Sequence, residues 1–221
     1  MAAALRERGH EPILSPLMEI RFLDGPEILL DGIQAVLATS ANGVRALAQR
    51  TPRRDVPIFA VGPQTAAAAE AAGFVDIKNA QGDALALADA AARWNTPQAG
   101  PLLHVAGRER AGHLAAALSE RGFEVRVEVL YEAIEVRTLS KDSAEALASG
   151  RLDAVMLFSP RSARIFCDRV REAKLDGRCG TMTALCISQA TADAVAALRF
   201  AAVRVAGKPN QESMLDLLDR G

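Results

Sequence analysis

An internal repeat constrains this chain more than any other feature. Residues 31–40, Asp-Gly-Ile-Gln-Ala-Val-Leu-Ala-Thr-Ser, pass through an apolar run to Ser40 and into a helical stretch. Residues 150–159, Gly-Arg-Leu-Asp-Ala-Val-Met-Leu-Phe-Ser, do the same, ending at Ser159 ahead of Pro160. Further on, Ala60-Val61-Gly62-Pro63-Gln64-Thr65-Ala66 matches Cys186-Ile187-Ser188-Gln189-Ala190-Thr191-Ala192. Both copies place a threonine in the first turn of an Ala-rich helix. The matched order implies two lobes on one strand–turn–helix plan.

Between these landmarks, short apolar runs alternate with longer helical stretches, the pattern of βαβ units around a parallel sheet. Strands are expected near 12–14, 35–40, 57–62, 74–77, 102–106, 154–158, 184–187 and 202–205. Helices are expected over 1–9, 44–50, 63–72, 83–93, a stretch ending at Gly122, then 143–148, 160–174, 190–198 and 212–218. Gly9 suits a helix C′ position, and Pro63 suits the first turn of its helix. Residues 18–23 and 124–136 look extended, and the second stretch holds Tyr131, the only tyrosine.

The charge balance excludes some partners. With 26 basic and 27 acidic side chains the chain is nearly neutral, which argues against nucleic acid. An anionic small molecule stays compatible, because backbone amides or a local patch can hold one. No apolar run approaches the ~20 residues of a membrane helix, and no secretory signal is visible. Cys167, Cys179 and Cys186 fit no zinc or CxxC spacing and read as free thiols of a reducing cytoplasm.

In open parallel sheets, ligands bind beyond the carboxyl ends of the strands. Helix N-termini there offer unpaired N–H groups and positive partial charge, a ready site for carboxylate or phosphate. Ser40, Asn42, Gly62, Thr65, Ser159, Ser188 and Thr191 crowd these turns, with Gly107. Arg108, Arg110, Arg161 and Lys208 could add charge at the rim. Each serine is also a natural N-cap, worth ~1 kcal/mol without any ligand. Tyr131 either packs a hinge or presents its hydroxyl as a proton donor. There is no GxGxxG after a strand, no GxxxxGK[ST] and no GxSxG, so nucleotide cofactors and a serine hydrolase lose their usual signatures. His10, His104 and His113 lack metal-ligand spacing. His104 lies in an apolar strand and reads as a core or sheet-end residue. The expected site is polar, anion-binding and free of metal and cofactor.

Taken in order, Thr39-Ser40-Ala41-Asn42-Gly43-Val44, Val61-Gly62-Pro63-Gln64-Thr65, Tyr131, Phe158-Ser159-Pro160, Ser188-Gln189-Ala190-Thr191 and Lys208-Pro209-Asn210 resemble the uroporphyrinogen-III synthase family over nearly the whole chain. The resemblance implies two facing α/β parallel-sheet lobes joined by a two-stranded connector. Lobe one would be residues 1–17 plus 136–221, lobe two 24–128, and the connectors 18–23 and 129–135. It implies a monomeric cytoplasmic hydro-lyase of heme biosynthesis that closes hydroxymethylbilane with loss of water and inversion of ring D. Tyr131 would assist the leaving hydroxyl; Ser40, Asn42, Gly62, Thr65, Arg108, Ser159, Ser188, Thr191 and Lys208 would bind substrate. It also implies a strand and a Thr-Arg-Pro-like turn ahead of the first helix. This sequence opens inside that helix, so lobe one is expected without its first strand. A start assigned too late is favoured over a truncation. The alternative function is a truncated, non-catalytic homologue that binds an anionic tetrapyrrole. A glycosyltransferase-like enzyme would share the lobes but would need a nucleotide signature that is absent.

Overall fold

The computed structural model describes residues 1–109 and 113–218. The chain divides into two compact units: unit 1, Met1–Glu19 with Glu135–Gly221, and unit 2, Ile20–Ile134.

Unit 1 opens with α1 (Ala2–Glu7), and β1 (Met18–Phe22) then carries the chain into unit 2. Unit 2 contains β2 (Ala35–Ala38), α2 (Ala41–Arg50), β3 (Ile58–Ala60), α3 (Pro63–Ala71), β4 (Ile77–Asn79), α4 (Ala84–Trp94), β5 (Leu102–Gly107), α5 (His113–Ser119) and most of β6 (Val125–Glu135). The sheet order is β1-β6-β5-β2-β3-β4. From β6 to β4 every neighbouring pair is parallel. β1 runs the other way beside the late part of β6: Leu23 N–H donates to Leu130 O and Val136 N–H donates to Leu17 O.

Central strands of a parallel sheet are covered on both faces and therefore read as unbroken apolar runs. β2 and β5 are buried along their whole length. Val36, Ala38, Val44, Leu47 and Ile58 pack on one face, and Leu37, Phe59, Leu87, Leu102 and Leu118 on the other. Each large side chain contributes ~1.5–3 kcal/mol by leaving water. Arg54 ties the helix ends together. Its guanidinium donates to Ala48 O and Thr51 O at the end of α2 and to Ala72 O at the end of α3.

In unit 1 the chain continues through α6 (Lys141–Ala148), β7 (Ala154–Leu157), α7 (Pro160–Glu172), a 3-10 segment (Asp176–Thr181), β8 (Thr183–Cys186), α8 (Gln189–Val195), β9 (Ala202–Val205) and α9 (Gln211–Leu215). Its parallel sheet has the order β7-β8-β9. Leu157, Phe166, Cys167, Val170, Met182 and Cys186 fill one face, and Leu185, Met214 and Leu217 the other.

Three expectations are corrected. Residues 12–14 form no strand; Pro12 and Pro16 bring no N–H to a ladder. The strand expected at 74–77 lies at Ile77–Asn79. Phe74 instead closes α3, its N–H donating to Ala69 O and its side chain buried. Ala41-Asn42-Gly43 is the first turn of α2 rather than a separate turn, because Ser40 already caps that helix.

Candidate functional site

Parallel pairing brings the carboxyl ends of unit 2's strands to one edge. Ala38 lies opposite Ala60, and Ala60 opposite Asn79. Ser40 and Gly62 stand two residues past the ends of β2 and β3, and Arg108 follows directly on β5. Between β5 and β6 the register shifts at Ala106/Gly107, so that Gly107 lies opposite Tyr131. Tyr131 thereby reaches the same edge, and Arg108 N–H donates to its carbonyl at 3.0 Å.

The serine at this edge is engaged by its own helix. Ser40 Oγ accepts from Asn42 N–H at 3.2 Å. Asn42 Oδ1 accepts from Arg45 Nη1 at 3.2 Å. α3 differs: Gly62 opens it without a side-chain cap, and Pro63 follows at its first position. Of the first-turn groups, Pro63 has no N–H and Thr65 N–H donates to Gly62 O, which leaves the Gln64 N–H for an outside acceptor. Thr65, in the first turn of α3, is buried at 4% exposure.

A carboxylate that sequence reasoning missed organises the charge here. Glu132, its side chain only 12% exposed, receives Arg108 Nε at 2.7 Å and Arg21 Nε at 2.9 Å. Hydrogen bonding from Arg21, together with the charge of Arg108, holds the Glu132 carboxyl below the usual carboxylate range. Both guanidiniums stay more than half exposed. The only signal in the sequence was adjacency to Tyr131. Arg45, exposed in the first turn of α2, was missed as well; its spacing from Asn42 was the available clue. Arg110 lies outside the described residues.

In unit 1, the ends of β7, β8 and β9 carry Ser159, Ser188 and Lys208. Ser159 Oγ accepts from Ser162 N–H at 3.0 Å and caps α7. Ser188 Oγ accepts from Thr191 N–H and meets Thr191 Oγ1 at 3.0 Å, so this pair closes the start of α8 upon itself. Lys208 is exposed in the loop before α9, which Asn210 caps. The geometry groups Ser40, Asn42, Gly62, Thr65, Arg108 and Tyr131 on unit 2, and Ser159, Ser188, Thr191 and Lys208 on unit 1. His104 is a fully buried residue of β5. Among the described residues no group of three or more His, Cys, Asp or Glu could hold a metal ion. No helix among them is long and apolar enough to cross a membrane.

Parallel strands ending in helix N-termini, with one phenol and two arginines at the same edge, define an α/β protein of the class whose ligands lie beyond the carboxyl ends of its strands. A family model described as uroporphyrinogen-III synthase HemD matches residues 1–216. The chain belongs to the uroporphyrinogen-III synthase family, lyase-type enzymes of heme biosynthesis that act on a small tetrapyrrole. The fold agrees with the crystal structure of uroporphyrinogen-III synthetase from Helicobacter pylori, at 19% identity and a TM-score of 0.61, over 91% of this chain and 89% of that one. A mutant uroporphyrinogen III synthase from Thermus thermophilus is 21% identical over 99% and 92% of the two chains, with a TM-score of 0.47. The wild-type Thermus protein is 20% identical over 99% and 91%, with a TM-score of 0.42. These two superpose too loosely to add to the fold comparison. No curated protein matches the chain significantly.

Proposed function

We propose that this chain closes hydroxymethylbilane to uroporphyrinogen III by positioning more than by acid–base force, with Tyr131 as the one catalytic residue. Family membership over residues 1–216 carries the substrate and the reaction. The placement of Tyr131 opposite Gly107, at the edge where β5 ends, supports its role.

The hydroxymethyl C–O bond breaks as the adjacent pyrrole nitrogen pushes electrons outward. Tyr131 donates its proton to the departing oxygen, which leaves as water. The substituted carbon of ring D attacks the exposed methylene and gives a spiro intermediate, which fragments and recloses with ring D inverted. The proton shed on rearomatisation returns to the phenolate, so the net change is loss of one water. Holding the reacting carbons together supplies most of the acceleration, since well-oriented intramolecular reactions gain about 7–11 kcal/mol.

The substrate's carboxylates would meet dispersed partners. The start of α3 offers the Gln64 N–H, and Arg108 and Lys208 offer charge. Ser40, Asn42 and Ser159 hold their helix starts in place, and their remaining lone pairs and protons reach substrate as secondary contacts. The Ser188–Thr191 pair plays the same part on α8, and Thr65 orders the start of α3. This distribution explains how a chain with a net charge of −1 can bind a polyanion. The protein would work as a cytoplasmic monomer without cofactor.

The test supplies purified protein with hydroxymethylbilane and separates the porphyrinogen isomers after oxidation. The type III isomer in excess supports the assignment. Formation of the uninverted isomer at the uncatalysed rate refutes it, and retention of tetrapyrrole in that case would identify a binding homologue.

A further inference from the structure

Ion pairs on unit 2 differ in their balance of charge. Arg121 meets Asp89 and Arg126 meets Glu124, one to one, and Arg53 faces two carboxylates, Asp31 and Asp55. At Glu132 the balance runs the other way: one carboxylate receives two guanidiniums.

Strand pairing builds this arrangement. Leu23 N–H donates to Leu130 O where β1 runs beside β6, so antiparallel pairing sets Arg21 opposite Glu132. Residues opposite each other in such a pair share a face of the sheet. From the other flank, Arg108 N–H donates to Tyr131 O and brings Arg108 alongside Glu132. Arg21 then directs Nε and Nη2 to Glu132 Oε1, and Arg108 directs Nε to Oε2. Both oxygens of a carboxylate only 12% exposed are thereby engaged.

Stability alone gives little reason for this group, because exposed ion pairs add little of it. Two cations held side by side repel each other, and a single carboxylate leaves one positive charge in excess. Each guanidinium has five N–H donors in a planar fork. Both are more than half exposed, so the donors that Glu132 does not use are turned to water. The two forks stand next to each other, with charge and donors ready for an outside anion.

Their place points to which anion. Tyr131 lies opposite Gly107. Glu132 and Arg108 are the next residues along the same two segments, and successive side chains of a strand point to opposite faces. The arginines therefore flank the edge on the face away from the phenol. A ligand that touches both must reach across this edge and carry several carboxylates, as a linear tetrapyrrole does. Each of its pyrroles carries an acetate and a propionate on adjacent carbons, two arms that match two neighbouring forks.

We propose that Arg21 and Arg108 bind the acetate and propionate of one pyrrole ring of the substrate, with Glu132 as the positioning residue between them. The inference rests on the reaction proposed above and adds Arg21 to the residues that hold its substrate.

The test titrates full-length protein with two fluorescent porphyrins. Uroporphyrin III keeps the acetate–propionate pair on each pyrrole, whereas coproporphyrin III has methyl in place of acetate. The parent should prefer uroporphyrin, and Arg21→Gln should cut that preference about tenfold, the worth of a charge-assisted contact, without a lower melting temperature. Arg21→Lys, which keeps the charge but not the fork, should restore part of it. In turnover, Arg21→Gln should raise KM and leave kcat unchanged. An unchanged preference in Arg21→Gln, or a fall in kcat at constant KM, would overturn the inference. A parent that makes the type III isomer yet binds both porphyrins equally would overturn it while the reaction stands. Selective, Arg21-dependent binding in a parent that makes no type III isomer would overturn the reaction and leave the two-arginine site in place.

Discussion

The ring of Tyr131 lies directly over Gly107: a β-carbon on that glycine would stand 2.7 Å from Tyr131 Cε2 and 3.0 Å from its hydroxyl oxygen. Real β-carbons do not approach this closely, so Gly107→Ala must push the phenol aside. We expect it to lower kcat at least tenfold, through a displaced catalytic group, and to destabilise the fold by about 1–3 kcal/mol, the usual cost of overpacking. Steady-state kinetics alongside thermal melting would check both. Unchanged kcat would show that the position of the phenol is immaterial.

Tyr131→Phe keeps the ring and removes the proton. General acid assistance contributes about 10²–10⁴-fold, so kcat should drop by roughly that factor while KM stays within about twofold. A rise in KM at constant kcat would make the hydroxyl a binding contact instead.

Glu132 holds Arg21 and Arg108 while both guanidiniums remain exposed. Its carboxyl titrates below the ordinary range when folded. The stabilisation it brings is therefore complete above the unfolded carboxylate pKa near 4.3 and is lost as pH falls through the lower folded value. Glu132→Gln should erase this difference, so melting curves of variant and parent should converge in acid and separate toward neutrality. At neutral pH the variant should show a raised KM, because Arg108 loses the partner that orients it.

Burial pushes the Cys167 and Cys186 thiols up to about 11. Folded values above the unfolded one mean that both favour the native state below the unfolded thiol pKa near 8.5, and that this support fades as pH rises toward 11. At pH 8 a thiol reagent should label neither residue until the protein unfolds. Rapid labelling of the native chain would contradict this.

Ser40, Ser159 and Asn210 each accept a hydrogen bond from the helix they open. Ser159→Ala should cost ~1 kcal/mol of stability, read as a lower denaturant midpoint with unchanged slope. Ser40→Ala should cost about the same and raise KM modestly. Complete loss of turnover with binding intact in Ser40→Ala would place chemistry where we place only support.

The strand–turn–helix units were legible because each carries its own signal. The apolar run 35–38 ends at a capping serine, Pro63 marks the start of α3, and Gly9 and Gly122 mark helix ends. Residues 12–14 misled because a short apolar run says nothing of whether a ladder partner stands beside it. Phe74 misled because its burial under α3, rather than in a strand, is a tertiary fact. At the site, the serine, threonine and glycine turns could be read from local pattern. The Glu132 cluster could not, because Arg21 and Arg108 reach one carboxylate through strand pairing across a separation of 111 residues for Arg21. Nor could the uncapped start of α3 be singled out, since only the observed bonds show which helices already satisfy their own donors.

The pairing of β1 with β6 also bears on how the chain acquires its shape. Unit 2 is one continuous stretch, whereas unit 1 is assembled from two segments about 115 residues apart. Its contacts include Met1 N to Gln211 Oε1, across a separation of 210 residues. Closing so long a loop from an open chain is slow. Once unit 2 has formed, Leu23 and Leu130 are hydrogen-bonded neighbours, and the chain leaving them brings Leu17 and Val136 together at little further entropic cost. Emerging from the ribosome, unit 2 is complete before unit 1 has its second half. The ribbon thus acts as a timing device: the inserted unit folds early, and the outer unit folds on the ends it delivers.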